Sequence, residues 1–408
     1  MTHPHRAVII ALHNLTYSSR VLKQADALAA AGFDVTLVGI VQNASDALEE
    51  QQGPVRLVRV RTTTRLHAER AADGVAASAA ATPSRPGFFA GVRTFLGRMR
   101  DNRLLAEAAL AAQPDVVIVS DILTLSAGYR LKRLRGIPLV LDVRDLVLDS
   151  GGDLAPSYAW LLGRLERLLV PRADAITTVS PYLGDVLAER FPDAPRAVAI
   201  YSGAFESVTR ACPPSSPLRL FFQGRIVPNR RLDELIRAMA MMPDVEVTLT
   251  IQGFGEDEPR MRALAAEPGL SDRVTFIPPC EARDVVRSAS EYDVGVISYR
   301  GDTLNLRVSI PIKLLDYIAG GLAVLASDLP GLRSVIEAEA CGYLFEQTGP
   351  ESIAQAIRYL ADNPDLVAEM KRNSVRAAPK YLASAQGERF VGVVESVLTA
   401  SGARGGAA

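Results

Sequence analysis

The chain has 408 residues, 48% of them hydrophobic, enough to bury two sizeable cores, so two α/β domains are the natural partition. Its formal net charge of −1 supplies no overall field that would gather nucleic acid. The three scattered cysteines, Cys212, Cys280 and Cys341, have no metal-ligand spacing and fit reduced cytosolic thiols better than a disulfide framework.

Residues 1–6 run straight into a short apolar strand at 8–12, with nothing like a signal-peptide core. No apolar segment approaches the roughly 18 residues that span a bilayer. A cytoplasmic protein with at most a peripheral membrane contact is therefore expected. A helical period at 20–31, closed by Gly32, and a second apolar run at 35–40 complete a βαβ unit. Its crossover loop, 13–19, leaves a carboxyl strand end and carries His13 and Asn14. A lone histidine in such a place is more often a structural group than a functional one.

Between residues 61 and 103 the composition changes. An Ala/Ser/Pro/Gly-rich stretch at 71–87 precedes an aromatic and basic segment at 88–100, and the region holds eight arginines against three acids. Phe88, Val92, Phe95 and Met99 share one helix face while Arg93, Arg98 and Arg100 flank or oppose it. That pattern fits an interfacial helix for an anionic membrane, and fits better an amphipathic helix packed on its own domain with solvated arginines.

Alternation then resumes, with strands at 116–120, 139–142, 175–179 and 197–200 and helices at 123–135, 159–170 and 181–191. Strands alternating with helices argue a parallel, doubly wound sheet. Asp121 and Arg144 each follow a strand, so both are expected to reach an interdomain cleft. Three prolines at 205–217 suit a hinge.

A second sheet begins at 218–223, followed by Gly224-Arg225-Ile226-Val227-Pro228-Asn229-Arg230 and a helix at 232–241. Two cations five residues apart, after a strand and before a helix, suit the oxygens of a diphosphate. Gly253-Phe254-Gly255 ends another strand and is a weak turn signal by itself. After an apolar run at 294–298, a loop at 299–310 is predicted to lead into a helix begun by Ser309 as cap and Pro311 in the first turn. The free N–H groups of the segment Ser309, Ile310, Pro311 and Ile312, in which the proline itself has none, would then face a phosphate. Lys313 and Asp316, three apart, share a helix face. Their spacing alone fits either a nucleotide grip or a solvated ion pair on an ordinary helix. Helices at 350–362, 366–378 and 384–397 carry no chemical constellation, and no Asp-x-Asp pair or His/Cys cluster suggests a metal.

Residues 310–332, Pro-Ile-Lys-Leu-Leu-Asp-Tyr followed by Ala-Gly and Ala-Ser-Asp-Leu-Pro-Gly-Leu, resemble the donor-site signature of the retaining glycosyltransferase family four. Asn14, Ser19-Arg20-Val21 and Gly32-Phe33-Asp34-Val35-Thr36 are similar to the opening of the same family branch. The resemblance implies an α/β chain of GT-B fold, two Rossmann-like doubly wound parallel-sheet domains facing a cleft. The implied division is an acceptor domain at 1–205 with a mobile basic insertion near 61–105, a sugar-nucleotide domain at 206–385, and a segment at 386–408 returning to the first domain.

Arg225 and Arg230 align with the family's diphosphate-binding arginine and lysine, and Asp316 with the second of two motif glutamates eight residues apart. The first glutamate falls on Val308, and Arg144 stands where relatives often carry histidine. The resemblance implies catalytic roles for Arg225, Arg230 and Lys313. Donor contacts would come from Asp316, the 309–312 segment, Gly253 and Phe254, and acceptor contacts from His13, Asn14, Asp121 and Arg144.

The expected activity is metal-independent, retaining transfer of a sugar from a nucleoside-diphosphate sugar, as substrate and not cofactor, to a lipid-linked or glycan acceptor. The expected setting is cell-envelope polysaccharide or glycolipid synthesis at the inner face of the plasma membrane, with a membrane contact through 88–100. The alternatives are a non-catalytic GT-B subunit that binds a sugar nucleotide or glycan, and a sugar-nucleotide epimerase.

Overall fold

The computed structural model describes residues 4–13, 15, 19–43, 45–62, 88–150, 154–346 and 349–405. Asn14 and the stretch at 71–87 lie outside the described residues. The chain divides into two compact units, Met1–Ile200 with Gly387–Ala408, and Tyr201–Gln386.

Unit 1 runs β1 (Arg6–Ile10), α1 (Ser19–Ala30), β2 (Asp34–Ile40), β3 (Glu49–Gln52), β4 (Val55–Val60), α2 (Phe88–Ala111) and β5 (Val116–Ser120). It continues through α3 (Leu125–Arg135), β6 (Leu139–Val143), α4 (Pro156–Leu169), β7 (Ala175–Thr178), α5 (Pro181–Arg190) and β8 (Ala197–Ala199). The sheet order is β3-β4-β2-β1-β5-β6-β7-β8, parallel except for the β3–β4 hairpin. The central strands are buried on both faces, which is why they read as unbroken Val/Ile/Leu runs. The hairpin was not expected from sequence, because Glu49–Gln52 is an exposed polar edge with no apolar alternation. Ser180 caps α5 as its hydroxyl accepts from the Leu183 N–H at 3.0 Å, with Pro181 in the first turn.

Helix α2 runs on to Ala111, well beyond the 88–100 segment. It packs on α4: the Ser157 hydroxyl donates to the Phe88 carbonyl at 2.6 Å, and the Phe95 ring meets Tyr158 edge-on. Phe95 thus faces its own unit, whereas Phe88 and Phe89 project outward, Phe89 being 85% exposed.

Unit 2 contains β9 (Leu218–Gln223), α6 (Leu232–Ala240), β10 (Val247–Gln252), α7 (Glu258–Ala265), β11 (Val274–Ile277), α8 (Val285–Ala289) and β12 (Val294–Ile297). Then follow α9 (Leu304–Val308), α10 (Ile312–Ala319), β13 (Ala323–Ser327), α11 (Pro330–Glu339), β14 (Gly342–Phe345), α12 (Pro350–Asp362) and α13 (Pro364–Ala377). The last helix, α14 (Ala383–Gly405), places Phe390, Val391, Val394 and Val397 in the unit 1 core with Ile9, Val35 and Ile118.

The unit 2 sheet, β11-β10-β9-β12-β13-β14, is parallel throughout. From β9 the chain winds outward to β10 and β11, then crosses to β12 on the other side. The winding reverses between β9 and β12, and the carboxyl ends there form the crevice where α/β sheets take ligands. In unit 1 the same reversal falls between β1 and β5. Among the described residues no helix is long and apolar enough to cross a membrane.

Candidate active site

The switch point of unit 2 is lined by aromatic rings carrying cations. Phe222 lies in β9 and Tyr299 just after β12, so adjacent strands bring the two rings together. Lys313, in the first turn of α10, extends its Nζ to 3.8 Å from the Phe222 ring centre and 5.8 Å from that of Tyr299. Lys313 is 8% exposed, and its Nζ has no hydrogen-bond partner among the described residues. Arg230 lies over the Tyr299 ring, 4.8 Å from guanidinium carbon to ring centre. Two positive groups thus share one aromatic platform, where ring quadrupoles favour cations without neutralising them. Burial, and then the Arg230 charge, hold the Lys313 amine well below its usual pKa, against the pull of Asp316.

Backbone geometry keeps this crevice narrow. The loops after β9 and β10 are zipped together, the Gly224 N–H donating to the Gln252 carbonyl at 3.0 Å and the Ile226 N–H to the Phe254 carbonyl at 2.8 Å. A Cβ on Gly253, at φ +156°, would lie 1.9 Å from the Gly224 oxygen, so only glycine permits this approach. Gly295 does the same for α10, because a Cβ there would stand 2.3 Å from the Tyr317 ring. Tyr317 in turn accepts from the Gln223 N–H at 3.0 Å, tying α10 to the end of β9.

The residues singled out from sequence fall into distinct places. Lys313 and Arg230 meet at Tyr299, and Asp316, buried on α10, lies close enough for its charge to act on Lys313. The Arg225 side chain, 64% exposed, instead leans toward Glu256 at 3.9 Å. Gly253 forms the zipped turn, whereas Phe254 projects outward and is exposed.

Ser309 requires a correction. It does not cap α10: its N–H donates to the Asn305 carbonyl at 3.0 Å and its hydroxyl to the Asn305 side chain at 3.3 Å, closing α9. Pro311 is the residue before α10 rather than part of its first turn, and has no N–H to offer. Ser309's amide is therefore already used, and the amides left to meet an anion in this segment are those of Ile310, Ile312 and Lys313. The short helix α9, capped by the Thr303 hydroxyl, stands where the sequence predicts loop, because five residues show no period. Val308, where the family motif has its first glutamate, is buried, and its carbonyl would lie 2.8 Å from a Cβ on Gly331.

In unit 1, His13, Asp121 and Arg144 follow the adjacent strands β1, β5 and β6. His13 Nδ1 accepts from the Leu15 N–H at 3.1 Å, which assigns the ring proton to Nε2. Arg144 donates to Asp121 through its backbone N–H at 3.1 Å and Nε at 3.0 Å, and also through Nη2. Asp121 sits at φ +75°. Burial pushes its carboxyl up from the usual value despite the opposing Arg144 charge.

One unit 1 network was not anticipated from sequence. Asp142, fully buried, accepts from Arg20 at 2.8 and 2.6 Å, from Gln24 at 3.1 Å and from Thr177 at 2.7 Å. Arg20 also donates to the Ile200 carbonyl at 2.6 Å. Among the described residues no group of three His, Cys, Asp or Glu side chains is placed to hold a metal ion.

Comparison with known proteins adds the family. Residues 16–203 match the glycosyl transferase 4-like domain, and residues 212–377 match glycosyl transferases group 1. The D-inositol 3-phosphate glycosyltransferase of Thermobispora bispora is 26% identical over 299 residues, covering 66% of this chain and 68% of its own length. That of Saccharomonospora viridis is 29% identical over 282 residues, covering 62% of this chain and 63% of its own length, less than two thirds.

Among solved structures, sucrose-phosphate synthase from Thermosynechococcus elongatus superposes with a TM-score of 0.74 at 18% identity, covering 97% of this chain and 100% of that one. HepE from Anabaena, solved in complex with UDP, superposes with a TM-score of 0.69 at 14% identity, covering 96% and 100%. These likenesses establish the two-domain GT-B fold. With both domains matched in order, the chain belongs to the group 1 glycosyl transferases of glycosyltransferase family four, and is a glycosyltransferase.

Proposed function

We propose that this glycosyltransferase moves a sugar from a nucleoside-diphosphate sugar to an acceptor hydroxyl with retention at the anomeric carbon and without a metal cofactor. In this reading unit 2 holds the donor and unit 1 the acceptor. The observation that carries it is the Lys313 amine, buried, without a hydrogen-bond partner among the described residues and sharing the Tyr299 platform with Arg230 at the switch point. Two cations that make no carboxylate bond among the described residues call for an anion, and a diphosphate supplies it.

In the reaction the bond between C1 and the diphosphate oxygen breaks and a bond from the acceptor oxygen to C1 forms. Negative charge grows on the departing diphosphate, where Lys313, Arg230 and the Ile310 and Ile312 amides stabilise it. Arg225 reaches the same phosphates by swinging off Glu256, an exposed pairing worth little. The acceptor's proton passes to the departing phosphate, so no side chain is needed as general base. Asp316 accepts from the ribose hydroxyls, and Gly253 and Phe254 border the base. His13, Asn14, Asp121 and Arg144 serve the acceptor side, with Arg144 orienting but not relaying protons.

HepE was solved with UDP and with UDP-glucose, which makes uridine diphosphate the first probe. The relatives named for inositol 3-phosphate add a phosphorylated cyclitol to the acceptors worth testing. Cell-envelope polysaccharide or glycolipid synthesis on the cytoplasmic face of the plasma membrane is the setting we favour. The exposed Phe88, Phe89 and Leu96, beside Arg93 and Arg100 on α2, support a peripheral contact there.

A non-catalytic subunit is the second reading, favoured by the buried Val308 in place of the motif glutamate and by Arg144's engagement with Asp121. A panel of UDP-, GDP-, ADP- and dTDP-sugars, scored for nucleotide release and for product anomer by NMR, separates the two. Turnover with retention that is lost in an Arg225→Ala/Arg230→Ala double variant supports the transferase. Donor binding without turnover supports the subunit, and wild-type turnover in the double variant removes the roles assigned to both arginines.

A further inference from the structure

Glu234, in the first turn of α6, is buried, yet it belongs to no motif, and its side-chain bonds are to Arg231 and Arg300, neither of them a ligand group named so far. A single carboxylate oxygen, Oε1, accepts from Arg300 Nη2 at 2.7 Å and also from Arg231 Nη2. Arg231 belongs to the loop after β9 and Arg300 to the loop after β12, the two loops that flank the switch point. Their chain neighbours, Arg230 and Tyr299, are the pair that meets face-on at 4.8 Å. The two loops therefore touch twice, once through a ring and a guanidinium, and once through a carboxylate shared by two guanidiniums.

Backbone geometry shows that the second contact is built in. Arg231 stands at φ +53°, ψ +35°, a left-handed conformation unfavourable for a residue with a Cβ. This conformation closes the short turn at Pro228–Arg230 and aims Arg231 at Glu234, while the Glu234 N–H donates to the Arg231 carbonyl at 3.2 Å. The Arg230 N–H donates to the Val227 carbonyl at 3.0 Å, which anchors its backbone, while its neighbours Pro228 and Asn229 are exposed and offer the side chain no packing.

We propose that Glu234 is a positioning residue of the donor site, holding Arg230 on Tyr299 through Arg231 and Arg300 so that the guanidinium meets the diphosphate already in place. The proposal rests on the donor-site reading of the preceding section. A carboxylate that fixes two loops removes the entropy of ordering them when ligand arrives, which is how supporting groups add to affinity without touching ligand.

The test is a binding cycle by titration calorimetry. Uridine, guanosine, adenosine and thymidine diphosphates are titrated into the wild type, and the tightest is carried into Glu234→Gln, Glu234→Asp, Arg230→Ala and the Glu234→Gln/Arg230→Ala double variant. Glu234→Gln is expected to weaken binding about tenfold, on the scale of one lost charge-assisted hydrogen bond. Glu234→Asp should recover part of that loss, and Glu234→Gln should add no more than about twofold in the Arg230→Ala background, the signature of two residues acting as one unit.

A Glu234→Gln effect that is absent, or equally large in both backgrounds, overturns the proposal while leaving the donor site standing. A wild type that binds no nucleoside diphosphate, or an Arg230→Ala variant that binds like wild type, overturns the donor-site reading instead. Should Glu234→Gln fail to fold, Arg300→Met and Arg231→Gly each cut one arm, the glycine keeping the left-handed turn. Each is then expected to weaken binding several-fold and non-additively with Arg230→Ala, and additive or absent effects count against the proposal.

Discussion

The ammonium of Lys313 lies 3.8 Å from the centre of the Phe222 ring and reaches no hydrogen-bond acceptor among the described residues. A side chain held this way is a liability to the fold and an asset to a ligand. Lys313→Met keeps the length and the ring contact but removes the desolvated amine. We expect it to raise unfolding stability by about 1 kcal/mol, since a buried polar group without a partner costs that much or more. We expect transfer to fall about a hundredfold, as when a preorganised donor is removed from a developing anion. Thermal unfolding and steady-state turnover check the two together. A variant less stable and fully active would contradict both halves.

The same amine makes donor binding proton-linked. Its folded pKa lies well below the ordinary 10.5, and a diphosphate beside it raises that pKa, so across the interval between the two values the complex binds more protons than the free protein. Affinity should therefore fall as pH rises through the interval between the depressed value and that of the complex. Without ligand the sign reverses: the unfolded chain binds the extra proton, so Lys313's destabilising effect fades as pH rises toward 10.5. Calorimetric titrations of nucleoside diphosphate in buffers of different ionisation enthalpy measure the uptake directly, and Lys313→Met should abolish it.

Much of the fold was legible because strands buried on both faces leave unbroken apolar runs, as in β5 (VVIVS) and β13 (AVLAS). The β3–β4 hairpin was not, since the outer strand buries nothing, and neither was α9, whose five residues are set by the Thr303 cap. At the site, the charged members Arg230, Lys313 and Asp316 were visible as a motif. Their aromatic platform was not: Phe222 reads as an ordinary strand residue and Tyr299 as the start of a loop until sheet order sets β9 beside β12. Ser309 was assigned to the wrong helix because a serine before a proline looks the same whether it closes one helix or opens the next. Ion pairs between distant residues, such as Arg20 with Asp142 and Glu234 with Arg300, leave no local pattern at all.

The Arg20–Asp142 pair supports unit 1 from the inside. Burial alone would raise the Asp142 carboxyl, but Arg20, Thr177 and Gln24 together bring it below the ordinary 3.8. The stability it confers is present above 3.8 and is lost as pH falls through the folded value, because the unfolded chain takes up the proton first. Asp142→Ala strands a buried guanidinium and should cost about 3–5 kcal/mol. Denaturant unfolding of the variant measures this, and a loss below 1 kcal/mol, on the scale of an exposed pair, would contradict it.

Glu166 works in the opposite direction. Buried on α4, it is pushed up from 4.5 to about 7 by burial, with Asp149 assisting and Arg190 opposing. Between those values the native state holds a proton that the unfolded chain has released, so stability declines as pH rises across the window, by at most about 1.4 kcal/mol per unit. Glu166→Gln should flatten that slope and stabilise the protein at pH 8, as followed by melting temperature against pH. An unchanged slope would show the carboxylate ionised throughout.

Phe88 and Phe89 are exposed at the start of α2 and make an edge-to-face pair. Changing both to Asp should leave the melting temperature unchanged and abolish co-sedimentation with vesicles rich in anionic lipid. Binding that survives the change would remove the motive for a membrane contact through this helix.

The account depends most on Lys313 and Arg230 meeting a diphosphate, and phosphate-by-phosphate calorimetry tests that contact directly. Nucleoside, monophosphate and diphosphate are titrated into wild type and into a Lys313→Met/Arg230→Ala variant. The prediction is a large gain in affinity from monophosphate to diphosphate in the wild type, and its disappearance in the variant. An equal gain in both proteins would contradict it, because the second phosphate would then be held by other groups.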